Sequence, residues 1–128
     1  MGTPKKVLIA EDSSVIQNLT KKILEFQNFH ISSVKNGKDV LKALEKDYFD
    51  VILMDINMPQ MDGMACAKEI RKMQDKKKAN VPIIAITGNA KNYTEEDFKE
   101  VGINEYLPKP LDFDKLVDSV KKWTATAV

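Results

Sequence analysis

Apolar positions along this chain follow two rhythms. KVLIA (6–10), DVILM (50–54) and VPIIAIT (81–87) are short apolar runs, the pattern of strands buried on both faces. HISSV (30–34) alternates and predicts a second strand in chain order, and NEYL (104–107) predicts a fifth. Between them apolar residues recur every three or four positions, the period of a helix with one buried face. DSSVIQNLTKKILEF places Ile16, Leu19, Ile23 and Phe26 on such a face, with Asp12 or Ser13 as N-cap. NGKDVLKALEKD turns Val40, Leu41 and Leu44 inward, and GMACAKEIRKM turns in Ala67, Ile70 and Met73. TEEDFKEVG is a short helix that Gly102 ends. DFDKLVDSVKKW carries Phe113, Leu116, Val117 and Val120 on one side, with Asp112 as cap. DKKKAN (75–80) is read as a solvated helix end, where lysines suit the dipole.

Five strands alternating with five helices predict an α/β domain, a parallel sheet covered on both faces and doubly wound. The length of 128 residues suits one domain with a real core. A net charge of +1 gives no electrostatic case for binding nucleic acid or a membrane. No apolar run reaches spanning length, and MGTPKK lacks the apolar stretch of a secretory signal. Cys66 cannot form an internal disulfide and is expected as a small buried residue; with the lack of export signals it suggests a reducing, cytoplasmic setting. His30 opens a strand and is expected to be structural or at the surface, and the methionines near residue 55 are expected to pack.

The chemistry gathers at the strand ends. In open parallel sheets ligands bind beyond the carboxyl ends of the strands, where the strand order reverses. Strand one ends in Glu11-Asp12, strand three in Asp55 and strand four in Thr87-Gly88-Asn89, and strand five runs into Lys109-Pro110. Taken singly, Thr87 is an ordinary strand-end hydroxyl, Lys109 a surface lysine, and Glu11-Asp12 a pair of helix N-terminal acids; their convergence raises all of them. Two carboxylates about 4 Å apart repel by roughly 4 kcal/mol at an effective dielectric near 20. Such a cluster needs a cation or a raised pKa. Lys109 supplies one positive charge, and an all-oxygen donor set suits a hard ion, Mg²⁺ or Mn²⁺ rather than Zn²⁺. A carboxylate, a hard cation, an ammonium and a hydroxyl together suit phosphoryl transfer through an aspartyl-phosphate.

Four pieces in order, ED (11–12), MDINMPQMDG (54–63), ITG (86–88) and YLPKP (106–110), resemble those of response-regulator receiver domains, the phosphoacceptor modules of two-component signalling. The resemblance covers about residues 5–124, implies one receiver domain over residues 1–128, and is nearest to chemotaxis regulators and to receivers of hybrid sensor kinases. It implies a flavodoxin-like (βα)5 fold with strand order 2-1-3-4-5. By the same resemblance Asp55 would accept the phosphoryl group. Asp12, Asp55 and the Asn57 carbonyl would hold Mg²⁺, with Glu11 assisting through water. Lys109 would contact the acceptor and then the phosphoryl group, Thr87 and Tyr106 would form the switch, and the bond before Pro110 would be cis. Glu11, Asn57 and Asn89 stand where the family varies, which leaves the dephosphorylation rate open. The implied donor is a histidine kinase or histidine phosphotransfer protein. The implied output surface is the fourth and fifth of the five helices with the fifth strand, where a homodimer could also form, and output is expected in a partner or in sequence outside these residues. Whether such a module counts as an enzyme is left open: it would catalyse its own phosphorylation and dephosphorylation, and a hybrid parent would be a kinase. Two rivals share the chemistry or the fold. A small metal-dependent phosphatase or phosphotransferase would want an acid at position 57, and a flavin carrier would want a phosphate-binding loop where the chain has EDSSV.

Overall fold

Three apolar runs and two more polar segments become the five strands of one sheet. The computed structural model describes residues 4–88 and 93–125. The strands are β1 (Lys6–Ala10), β2 (His30–Val34), β3 (Val51–Asp55), β4 (Ile83–Thr87) and β5 (Glu105–Pro108). All neighbours pair in parallel, in the order β2-β1-β3-β4-β5. The order reverses between β1 and β3, so the carboxyl ends of these two strands flank the crevice where such sheets bind ligands.

Alternation along each strand divides the core in two. Leu8, Ala10, Ile52, Met54, Ile83 and Ala85 face one side, under α2 (Gly37–Lys46), α3 (Gly63–Arg71) and α5 (Glu95–Glu100). Val7, Ile9, Val51, Leu53, Ile84 and Ile86 face the other, against Leu24 of α1 (Ser14–Phe26) and Leu116 and Val120 of α6 (Phe113–Thr124). All five residues of β3 and of β4 are buried, which is why both read as unbroken apolar runs. Cys66 is fully buried and burial pushes its thiol up to about 12, so it is inert packing. His30 is exposed.

Two expectations need correction. The inward face of α1 is Gln17, Thr20 and Leu24, while Leu19 is 46% and Phe26 is 88% exposed, and Ile16 and Ile23 are only half-buried. Positions 17, 20 and 24 have the same helical spacing as the apolar set. Gln17 and Thr20 can face inward beside Leu24 because their polar groups find partners: Thr20 Oγ1 donates to the Ile16 carbonyl at 2.8 Å, and Gln17 reaches two strand-end carbonyls. Ser13, rather than Asp12, caps the helix. The second correction concerns residues 75–80. They form a separate turn of helix, α4 (Lys76–Ala79), so the described residues hold six helices. The Asp75 carboxylate starts it by accepting the N–H groups of Lys77 and Lys78. Arg71 holds its end by donating to the carbonyls of Ala79, Val81 and Gly102 and to Asn104 Oδ1. Gly102 has φ +83° and lies so close to Arg71 that a Cβ would sit 2.5 Å from Nε. Glycine is needed there both for the turn that ends α5 and for the guanidinium.

On the far edge Glu105 ties β5 to α6, accepting from Ser119 Oγ at 2.7 Å and from Trp123 Nε1 at 2.6 Å. The corrected α1 face gives an expected outcome in urea. Leu24→Ala should lower stability by about 2–5 kcal/mol, whereas Phe26→Ser should stay within about 0.5 kcal/mol of the parent. Equal losses would restore the apolar-stripe orientation.

Candidate functional site

The site is assembled from the ends of β1, β3, β4 and β5. Asp55 is the last residue of β3 and is 1% exposed. Its Oδ2 accepts the Lys109 ammonium at 3.2 Å, and its Oδ1 accepts the Asn57 N–H at 3.1 Å. Lys109 follows β5, and its own N–H donates to the Thr87 carbonyl at 2.8 Å, which fixes the lysine main chain to the end of β4. The Lys109–Pro110 peptide is cis. Gly63, the first residue of α3, allows that helix to start directly against β3. A Cβ on it would lie 2.9 Å from both the Asp55 carbonyl oxygen and the Ile56 Cα.

Glu11 and Asp12 leave the end of β1 beside Asp55. One carboxylate oxygen from each of Glu11, Asp12 and Asp55 lies within 4.8 Å of the others. Asp12 is exposed, and Glu11 is 3% exposed. Glu11 Oε2 accepts the Ser13 N–H at 3.1 Å, while Oε1 is buried with no hydrogen-bond partner among the described residues. An unpartnered buried carboxylate oxygen is costly, and here it lies within a cluster of oxygen donors. Burial pushes the Glu11 carboxyl up to about 7; the Ser13 N–H opposes this, the neighbouring Asp55 carboxylate adds to it, and Lys109 offsets part. The cluster has the donor chemistry and the open valence that fit a hard divalent cation.

Thr87 is 2% exposed at the end of β4, one residue beyond Ile86, the partner of Asp55 in the register. Tyr106 is half-buried on β5, its ring stacked on Phe98 with centroids 5.0 Å apart and planes at 21°. Phe98 also touches Tyr93, at 5.8 Å. Asn89 lies outside the described residues. Thus Glu11, Asp12, Asp55, Asn57 and Lys109 meet at one edge, with Thr87 on the adjoining strand and Tyr106 farther along the same side of the sheet. Sequence reading missed Gln17 and Phe98. Gln17 sits among apolar residues as an unexplained glutamine, and Phe98 has the spacing of ordinary core.

A doubly wound parallel sheet with three acids and a lysine at its topological switch defines a class of acidic-pocket α/β domains. The model of the response regulator receiver domain matches residues 7–121, and the chain belongs to that family, the receiver domains of two-component phosphorelay systems. It is 36% identical over 119 residues to hybrid signal transduction histidine kinase M of Dictyostelium discoideum, covering 91% of this chain and 5% of that protein. It is 33% identical over 119 residues to the CAI-1 autoinducer sensor kinase/phosphatase CqsS of Vibrio cholerae, covering 93% of this chain and 17% of that protein. The chain thus spans only a small part of these relatives. Among solved structures it resembles the receiver domain of sensor histidine kinase PA1611 from Pseudomonas aeruginosa, crystallised with a magnesium ion coordinated in the active site cleft. The TM-score is 0.86 and the identity 30%, with 96% of this chain and 99% of that one covered. The chemotaxis response regulator CheY4 of Vibrio cholerae gives a TM-score of 0.85 at 27% identity, with 94% of this chain and 99% of that one covered.

The raised Glu11 carboxyl sets a pH dependence in the metal-free protein. The folded state holds that proton more tightly than the unfolded chain, so the contribution to stability is full below the ordinary value of 4.5 and is lost as the pH rises through about 7. In EDTA, Tm is expected to fall across that interval, and Glu11→Gln should flatten this part of the curve. Identical pH profiles for parent and variant would rule the effect out.

Proposed function

We propose that this chain takes a phosphoryl group onto Asp55 from the phosphohistidine of a histidine kinase or of a histidine phosphotransfer protein. The observation that carries the reading is the 3.2 Å contact between Lys109 Nζ and Asp55 Oδ2 beside the acidic cluster, in a chain of the receiver family. We read residues 1–128 as one receiver domain, with a core of about 5–124, working in the cytoplasm. No helix among the described residues is long and apolar enough to cross a membrane. A net charge of +1 gives nucleic acid or an anionic membrane little electrostatic attraction.

Glu11, Asp12, Asp55 and the Asn57 carbonyl would hold Mg²⁺, or Mn²⁺ in its place, and the oxygen-only donor set supports this, as does the magnesium in the PA1611 receiver. When bound, the ion would offset the carboxylate charge and that of the phosphoryl oxygens. An Asp55 oxygen attacks phosphorus, the bond to the histidine nitrogen breaks, and an acyl phosphate remains. The Lys109 ammonium then pairs with a phosphoryl oxygen and the Thr87 hydroxyl donates to another. Attack by water on the same phosphorus releases phosphate and restores Asp55.

The switch follows from those bonds. Hydrogen bonds to charged groups are worth about 1.5–3 kcal/mol each, so two offer roughly 3–6 kcal/mol. Driving a two-state equilibrium from 1:99 to 99:1 takes about 5.5 kcal/mol. The supply barely meets the need, which implies incomplete activation or a resting population of the active form. Tyr106 would carry the change to the face of α5, β5 and α6, which holds a groove of about 570 Å³ lined by Phe98, Ile103, Tyr106 and Lys115 among others. Output partners, or a second copy of this chain, would dock there. The family match favours this reading over a free-standing phosphatase, and Asn57 in place of an acid agrees.

Incubation with acetyl phosphate and Mg²⁺ is expected to add one labile phosphate by intact mass, and Asp55→Asn should abolish it. Rapid turnover of small phosphate esters instead would favour the phosphatase. Relaxation-dispersion NMR on the unmodified protein should show exchange at Thr87 and Tyr106, and flat profiles there would count against the pre-existing active form.

A further inference from the structure

The inward face of α1 carries an amide where packing alone would take a leucine. Gln17 is 9% exposed, and its side-chain amide nitrogen serves main-chain carbonyls of two different strand ends. Nε2 donates to the Glu11 carbonyl at 3.1 Å and to the Val34 carbonyl at 2.9 Å. The Val34 carbonyl also accepts the Glu11 N–H at 3.1 Å. Gln17, Glu11 and Val34 therefore close a small ring where β1 and β2 run out. Gln17 is fixed in turn, because its own N–H donates to the Ser13 carbonyl at 2.9 Å at the start of α1. Burying a primary amide is unfavourable unless its hydrogen bonds are made, so the glutamine is explained by the carbonyls it holds.

One of those carbonyls belongs to the peptide that joins Glu11 to Asp12. The Glu11 side chain leaves the main chain just before that peptide and the Asp12 side chain just after it. Rotating the peptide plane would move both carboxylates. Gln17 grips the plane at its oxygen, while the Ser13 N–H grips the Glu11 carboxylate at 3.1 Å.

We propose that Gln17 is a positioning residue for the acidic pair: by clamping the Glu11 carbonyl it holds Glu11 and Asp12 at the spacing a divalent cation requires, and so sets the cation affinity of the site. The inference rests on the reading of this cluster as a metal site given under the proposed function. Residues that orient metal ligands from behind typically change affinity about 10–100-fold when removed.

The test is manganese binding to the unphosphorylated protein, read by electron paramagnetic resonance of free Mn²⁺, with thermal stability followed alongside in EDTA. Gln17→Met keeps the volume and removes both donors; it should weaken binding by about tenfold. Gln17→Leu likewise fills the position without a donor and adds no charge beside the acids; it should weaken binding by a similar factor, which covers the case in which the thioether does not fold. Thr20→Val is the control: Thr20 is buried on the same face but bonds only its own helix, and binding should not change. A folded Gln17 variant that binds manganese as tightly as the parent, whatever its stability, overturns the positioning role. A parent protein that takes up no manganese overturns the reading of the cluster itself and the proposal with it.

Discussion

Mutual repulsion among carboxylates is the constraint around which this molecule is arranged. Asp55 ends a fully buried strand, Glu11 is nearly as buried, and Asp12 stands beside them, all within 4.8 Å. Three such groups at one edge are tolerable only while something answers their charge. Lys109 answers part of it directly through Asp55. Glu11 answers another part by holding its proton toward neutrality. What is left over is unbalanced negative charge at that edge, the feature on which the proposed function rests. The stability of the fold and the chemistry of its edge therefore draw on the same electrostatic conflict.

The scaffold meets this conflict with main-chain rigidity. Glu11, Asp12, Asp55, Thr87 and Lys109 each lie within two residues of a strand end, and each strand end is tied to a neighbour. Lys109 N–H is bound to Thr87, the Glu11 peptide to Val34 and Gln17, and the start of α3 lies flush on β3 because Gly63 has no side chain. The opposite end of the sheet is stapled by Arg71, whose half-buried guanidinium donates to carbonyl oxygens of the segments that lead into β4 and β5. Little of the architecture that aims the acids is itself acidic.

The three inner strands were legible because burial on both faces leaves continuous apolar runs, and β3 and β4 are the clearest cases. The acids and Thr87 were legible because each closes or follows such a run, and Lys109 because it follows the fifth strand. The orientation of α1 was not, since residues 16, 19, 23 and 26 and residues 17, 20 and 24 have equally helical spacing. The choice between them depends on whether Gln17 and Thr20 find partners, and the carbonyls that Gln17 holds lie at the ends of two strands outside its own helix. The α4 turn was hidden for a similar reason: four residues carry no periodicity, and the turn exists because Asp75 begins it and Arg71 holds its last carbonyl. Stacking of Tyr106 on Phe98 is likewise a tertiary fact, invisible to spacing.

The tie between Glu105 and Trp123 has a practical consequence. The chain contains a single tryptophan, and its indole is hydrogen-bonded to the residue immediately before Tyr106. Any sliding or twisting of β5 pulls on that bond and alters the polarity around the ring. The molecule thus carries a built-in optical gauge: its ultraviolet emission can follow the far strand in real time, without a dye, a label or an engineered chromophore.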